Sequence, residues 1–253
     1  MLDIEQAYNN YLIKQSESRK VLDTGFFSAS TAGSCIRKQY YNSNHFKQDD
    51  IEPRVRRLLR LGTIVHQDLQ DAIEYYCGVE GNTSSPSDWY KIYSEYEIKI
   101  PRFNVVGHLD LAIETVDNIK VIDFKTVASY KWKKKFGRGI NKDVTTDSNY
   151  KMQLATYTMA LLDEVDVEKY EMSLMWYNKD TSAFREVSVD ESWTIQAQIY
   201  WKMINDVLNG VAEELMNGGK MEDKLIPGKT YGVPMESWEC NYCWYRQHCP
   251  GAK

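Results

Sequence analysis

Residues 105–125 read Val-Val-Gly-His-Leu-Asp-Leu-Ala-Ile-Glu-Thr-Val-Asp-Asn-Ile-Lys-Val-Ile-Asp-Phe-Lys, and their alternation sets the architecture. Two segments, 105–113 and 119–125, have the period-two apolar pattern of neighbouring strands. In the first, Val105, Gly107, Leu109, Leu111 and Ile113 share one face, while His108 and Asp110 share the other. In the second, Ile122 and Phe124 face away from Asp123 and Lys125. Alternate strand residues point the same way, so Asp123 and Lys125 stand side by side. Asp110 adds a carboxylate from the adjoining strand. Two carboxylates can hold a divalent metal, which activates water and neutralises a phosphoryl group, and a lysine beside them can orient or deprotonate that water. Hard Mg²⁺ or Mn²⁺ suits such oxygen ligands.

Working outward, residues 92–100 predict a further strand, with Glu95 and Glu97 expected on its solvated face and support of a second metal or of the DNA-facing wall as the alternative. Before it, Pro53 suits the first turn of a helix running to about residue 76. Its apolar stripe is Leu58, Leu61, Val65, Leu69 and Ile73, and His66 flanks that stripe as a possible nitrogen ligand. A helix over about 148–162 carries Gln153 and Tyr157 four residues apart, on one face. Strands at about 171–178 and 183–189, a long helix over 192–216 and a Gly/Pro-containing tail follow. At the other end, residues 1–20 read as a polar helix, and residues 27–41 as a cap and a short helix carrying Cys35. Helix, three strands, helix, two strands and helix describe one α/β domain, a central mixed sheet flanked by helices. The whole chain, 1–253, reads as a single domain with its core at 53–190.

Composition fits this reading without deciding it. The 253 residues are 43% hydrophobic and 26% charged. Charges interrupt every apolar run before the ~20 residues a membrane helix needs. The N-terminus has neither the basic patch nor the apolar core of a signal peptide, so a cytoplasmic location is expected. Net charge is -5, which means any nucleic-acid contact must come from local basic surface. Arg54, Arg56, Arg57 and Arg60 form one such cluster, and some of them could point toward the groove beside His66. Lys131, Lys133, Lys134, Lys135 and Arg138, interleaved with Trp132 and Phe136, form the other. Lysines there would neutralise phosphates while an aromatic ring stacks on a base, a sequence-tolerant way to hold a single strand. A solvated lysine-rich loop is the equal alternative.

Five cysteines in an intracellular chain of this length point to metal ligation rather than a disulfide framework. Cys240-x₂-Cys243-x₅-Cys249 lies at one end and Cys35 near the other, giving four thiolates. They suit a four-cysteine zinc site or an iron–sulfur cluster. Either would draw the two ends of the chain together. Cys77 stands apart as a packed or free thiol.

Gly62-Thr-Ile-Val-His66, Gly107-His-Leu-Asp110, Val121-Ile-Asp123-Phe-Lys125 and Gln153-Leu-Ala-Thr-Tyr157, in that order, resemble the RecB-like nucleases of the PD-(D/E)xK superfamily. The resemblance implies a metal held by His66, Asp110, Asp123 and the backbone carbonyl of Phe124. It makes Lys125 catalytic together with Asp110 and Asp123, and gives Gln153 and Tyr157 the task of placing the DNA strand. The Gly107–Asp110 motif lacks the proline of the superfamily's name. The one-plus-three cysteine pattern, with Cys35-Ile-Arg-Lys-x-Tyr40-Tyr41, resembles the iron–sulfur subset, which includes AddB and the CRISPR-associated iron–sulfur exonucleases. It implies a [4Fe-4S] cluster on Cys35, Cys240, Cys243 and Cys249, clamping segments 27–41 and 238–250.

The expectation is a Mg²⁺- or Mn²⁺-dependent DNA exonuclease acting on single strands or ends without sequence preference. Lys131, Trp132, Lys133, Lys134 and Lys135 would contact DNA. Recombination or CRISPR adaptation proteins are the candidate partners, and no membrane is involved. The rival is an iron–sulfur DNA-end adaptor whose cleavage is secondary or depends on a partner. A zinc-bound endonuclease is the third reading.

Overall fold

β-rich alternation in the middle of the chain becomes one mixed sheet. In the computed structural model, residues 3–17, 23, 25–80, 90–137, 147–216, 237–247 and 249 are described, with backbone alone at 77–80, 211–216, 237 and 238. The side chain of Cys77 and all of Arg138 lie outside the described residues. So do most of the Gly/Pro tail and residues 81–89, while the helix expected to end near 76 runs on to Glu80.

In chain order the elements are α1 (Ile4–Glu17), β1 (Phe27–Ser28), a 3₁₀ turn (Ala29–Thr31), α2 (Ile36–Ser43), α3 (Pro53–Glu80), β2 (Lys91–Ile100), β3 (Val105–Glu114) and β4 (Asn118–Val127). They continue with α4 (Ser129–Phe136), α5 (Ser148–Leu162), β5 (Lys169–Asn178), β6 (Phe184–Val189), α6 (Ser192–Met216) and α7 (Ser237–Asn241). The lysine-rich stretch, for which a solvated loop was one of two equal readings, is a helix, α4. Its last turn carries Lys133, Lys134 and Lys135, where cations complement the negative end of the helix dipole.

The sheet order is β1-β3-β4-β5-β6, with β2 also on β3. β2–β3, β3–β4 and β5–β6 pair antiparallel, and β4–β5 pair parallel. A parallel pair needs a crossover, and α4 and α5 lie in it. β4 is covered on both faces, so Val121 to Phe124 form an uninterrupted buried run that includes Asp123. On one face Leu111, Ile122 and Phe124 pack with Leu69 and Ile73 of α3. On the other lies α5, whose Leu154 to Leu161 are buried. Behind α5, Trp201 Nε1 donates to Thr156 Oγ1 at 2.9 Å, satisfying an indole that is otherwise fully buried.

The chain divides into two compact units. One comprises residues 28–33 and 65–201, and the other 1–27, 34–64 and 202–253. The first contains the sheet from β2 to β6. The second contains α1, α2, the start of α3 and the C-terminal segment. Within it, Arg57 Nη1 bonds Asn9 Oδ1 at 2.7 Å and pairs with Glu5, and Arg56 Nη1 bonds Ser16 Oγ at 3.0 Å. Two of the four arginines read as groove residues are thus engaged with α1. Among the described residues, no helix is long and apolar enough to cross a membrane.

Candidate active site

The β3–β4 ladder runs from Glu114↔Ile119 to Leu111↔Ile122 and stops. Asp110 and Asp123 are the next residues along each strand, at the point where the strands part. A backbone amide that loses its ladder partner must find another acceptor. Here Phe124 N–H donates to Asp110 Oδ2 at 2.8 Å. The end of the ladder thus turns one carboxylate toward the other strand's functional residues.

Gly107 lies three residues before Asp110. A Cβ there would meet Ala29 Cβ at 2.8 Å and Tyr157 Cε1 at 3.2 Å. The glycine of this motif is explained by the close seating of the Tyr157 ring.

A connected polar network follows. Lys125 Nζ pairs with Asp123 Oδ2 at 2.5 Å and donates to Gln153 Oε1 at 3.1 Å. Gln153 Nε2 donates to Asp123 Oδ1 at 3.2 Å and to the phenolic Oη of Tyr157 at 2.8 Å. Asp123 is 0% exposed, and its neighbours meet its buried charge on both oxygens. His66, on α3, places Nδ1 3.7 Å from Asp110 Oδ2 and its ring edge-on to Phe124. All six side chains singled out by motif, His66, Asp110, Asp123, Lys125, Gln153 and Tyr157, are brought together.

Burial, with the Asp110 charge opposing ionisation as well, pushes Asp123 up to about 7. Burial likewise raises Asp110. Burial lowers His66, aided by the Lys125 charge, so its imidazole is neutral and able to ligate. For Lys125, burial works against the ammonium, but the Asp123 and Asp110 carboxylates outweigh it and hold its pKa above the ordinary lysine value. Burial and the same two carboxylates hold Tyr157 well above the usual phenol range, so it stays a proton donor.

Two buried carboxylates that resist ionising together, beside a neutral imidazole, form a donor set that fits a hard divalent cation. Its charge would relieve the repulsion that raises both pKa values. As the side chains stand, Asp110 is turned to the Phe124 amide and Asp123 to Lys125. Among the described residues no group of three or more His, Cys, Asp or Glu side chains is in ligating array.

Two residues near the site were missed. Gln70, one helical turn after His66, is 1% exposed, and its Nε2 donates to Glu95 Oε1 at 2.9 Å and to the Asp110 carbonyl at 3.1 Å. Glu95 was expected on a solvated face, with a metal-supporting or DNA-facing role as the alternative. It is exposed, but its φ is +45° and it drops out of the β2–β3 ladder. A non-glycine residue in that conformation costs about 1–3 kcal/mol, which marks it as a constrained position. Glu97, by contrast, pairs with Lys99 on the solvated face as expected. Tyr150 is the second type of omission. Its ring lies under both Lys125 Nζ, at 4.8 Å, and Lys131 Nζ, at 5.4 Å.

The other DNA-contact candidates divide. Lys133 and Lys134 are exposed. Lys135 is ion-paired with Asp147 and lies over the Trp176 ring. Trp132 is half-buried, edge-on to Phe136. His108 is exposed and makes no contact with the network.

In the other unit, Cys35, Cys240, Cys243 and Cys249 are all free thiols. They lie within electrostatic range of one another: Cys35 with Cys243, Cys243 with Cys240 and Cys249, and Cys240 with Cys249. Burial is the main cause that pushes Cys35 up to about 11 and raises Cys240 and Cys243. Cys249 and Cys243 pack with Tyr40, Tyr41 and Tyr245. Tyr245 O–H donates to Asn42 Oδ1 at 2.6 Å, Gln247 N–H to Asp49 Oδ2 at 3.0 Å, and Cys35 N–H to Glu239 Oε2 at 3.3 Å. Arg37 Nη1 approaches Cys249 Sγ at 3.9 Å. Among the described residues these thiols form no ligating array, and Arg37 gives Cys249 a cationic neighbour.

A model of the PD-(D/E)XK nuclease superfamily matches residues 72–250. Among curated proteins there is no match. The solved structures include one described as the crystal structure of SSO0001, at 17% identity and a TM-score of 0.48, covering 100% of this chain and 98% of that one.

Proposed function

Because the chain belongs to the PD-(D/E)XK nuclease superfamily, whose members use divalent metals to cut DNA, we propose that it is an exonuclease acting on single-stranded DNA or DNA ends, with a [4Fe-4S] cluster in its second unit. The observation that carries this reading is the Asp123 centre. Asp123 is fully buried, its pKa is raised to about 7, and Lys125, Gln153 and the Asp110 charge all bear on it. Such an arrangement is expensive to fold around unless it serves chemistry.

His66, Asp110, Asp123 and the Phe124 carbonyl would hold Mn²⁺ or Mg²⁺. When bound, the cation supplies a water acidic enough to act as nucleophile, and charge to offset that growing on the phosphoryl oxygens. Lys125, kept cationic by the two carboxylates, orients that water and the scissile phosphate. Gln153 holds Lys125 and Asp123 in fixed relation. Tyr157, a protonated phenol, donates toward the strand, and the exposed Lys133 and Lys134, with Lys131 above Tyr150, follow the phosphate backbone. Cys35, Cys240, Cys243 and Cys249 would ligate the cluster, which ties residues near 35 to residues near 249. This is the iron–sulfur, RecB-like reading, and it fits an intracellular protein of recombination or CRISPR-type DNA processing.

The test uses anaerobically purified protein with end-labelled single- and double-stranded DNA, in Mn²⁺, Mg²⁺ or chelator. Metal-dependent shortening from one end supports an exonuclease. DNA that is bound but left intact under every condition, with the cluster present, would favour the rival DNA-end adaptor. A colourless, zinc-containing preparation would remove the iron–sulfur part of the reading.

A further inference from the structure

Glu95 interrupts its own strand. Its neighbours Ser94 and Tyr96 pair with Leu111 and Leu109, while Glu95 itself, at φ +45°, leaves the ladder opposite Asp110. Its carboxylate is gripped by Gln70, a side chain 1% exposed, four residues after His66 and therefore on the same helix face. Both partners of the Gln70 amide nitrogen, Glu95 Oε1 and the Asp110 carbonyl, are pure acceptors, so the amide can point only one way. Its Oε1 is then buried with no hydrogen-bond partner. A strained backbone and an unsatisfied buried oxygen are tolerated here to hold one carboxylate in place. That carboxylate acts electrostatically on His66, Asp110 and Tyr157.

We propose that Glu95 is a further functional residue of this pocket: its carboxylate, clamped by Gln70 beside His66 and Asp110, completes the negative charge with which the pocket receives a divalent cation. The inference rests on the metal-nuclease reading above. With a cation bound, the carboxylates of Asp110, Asp123 and Glu95 stand against the single ammonium of Lys125. This leaves two formal negative charges, matched to one divalent cation. Without Glu95 only one would remain. Glu95 is exposed, so solvent screens it, and its effect is smaller than that of a direct ligand. Gln70 couples the two acidic strands as well, because the amide that holds Glu95 also holds the backbone of Asp110.

The test is Mn²⁺ binding to the metal-stripped full-length chain, by calorimetry or by the loss of the free-ion electron paramagnetic signal. Glu95→Gln retains an acceptor for Gln70 and removes the charge; Glu95→Asp retains the charge. Unchanged circular dichroism and melting would establish that both variants fold. The dissociation constant is expected to weaken on the order of tenfold in Glu95→Gln, the scale of outer-shell effects on metal affinity, and to stay near wild type in Glu95→Asp. Equal affinity of Glu95→Gln and wild type overturns the inference, as does a Glu95→Asp variant as weak as Glu95→Gln. A wild-type chain that takes up no Mn²⁺ at all would instead overturn the metal-nuclease reading, and Glu95's role with it.

Discussion

The acidic centre and the cysteine cluster are assembled by opposite means. Asp110, Asp123, Lys125, Gln153 and Tyr157 fall within 48 residues, and elementary periods place them: two residues per strand repeat, four per helix turn. Only the strand divergence after Leu111↔Ile122 and the seating of Tyr157 on Gly107 complete the arrangement. Cys35 and Cys249 are 214 positions apart, and no local period relates them. Their meeting depends on Tyr41, Tyr245, Asn42, Asp49 and Gln247, the side chains that join the two segments. A centre encoded locally is robust to the rest of the chain. A cluster held across the chain's ends, as proposed, would have to offset the entropy of a long loop with strong ligation.

The contrast can be broken most directly at Asp123. Asp123→Ala is expected to reduce cleavage of labelled DNA by about 10³-fold or more, as loss of a central electrostatic group does. The variant should keep its fold, and in the absence of metal melt no lower than wild type near neutral pH. The sign follows from the raised pKa of about 7: ionising Asp123 opposes folding between its ordinary value and 7, and the variant is spared that opposition. A variant that no longer folds would show the acid to be structural.

Cys243→Ala should do the reverse. It is expected to lose iron and brown colour and to melt roughly 10 °C or more below wild type, several kcal/mol in a chain of this size. Full stability and colour in this variant would dissolve the second centre. Gly107→Ala probes the tertiary part of the acidic centre. The added methyl collides with Ala29 and presses on Tyr157. A loss of about 1–3 kcal/mol is expected in denaturant unfolding, accompanied by weaker cleavage. Stability and cleavage equal to wild type would mean the Tyr157 seat is slack.

The smallest effect separates the two centres by pH. A proton must leave the Asp123 site before a cation binds there. Mn²⁺ affinity should therefore tighten about tenfold per pH unit up to about 7 and flatten above it. Metal-free stability moves oppositely, falling as pH rises from the ordinary carboxylate value toward 7, because the native state holds the extra proton over that range. Affinity independent of pH between 5 and 7 would place the cation elsewhere.

What local sequence determined here is considerable. Strands β2 to β6, the helices at 148–162 and 192–216, and the faces on which Asp110, Asp123, Lys125, Gln153 and Tyr157 lie follow from side-chain periodicity, because a strand or helix fixes direction residue by residue, whereas β1 lies in a stretch read as a helix cap. For the lysine-rich stretch the sequence leaves a DNA-holding segment and a solvated loop as equals, and the structure makes it a helix. Without a sustained apolar stripe, nothing in it distinguishes a short amphipathic helix from a loop. That Lys135 is consumed by Asp147, and that Arg56 and Arg57 are engaged with α1, depends on partners far along the chain.

Glu95 shows the limit most sharply. Alternation put it on a solvated face with Glu97, and exposure agrees. Only the folded chain turns its backbone to φ +45° and brings a buried Gln70 against it. Period-two reasoning assumes a regular ladder. A residue that leaves the ladder is aimed by packing and hydrogen bonds from elsewhere in the molecule, and these exist only once the tertiary structure has formed.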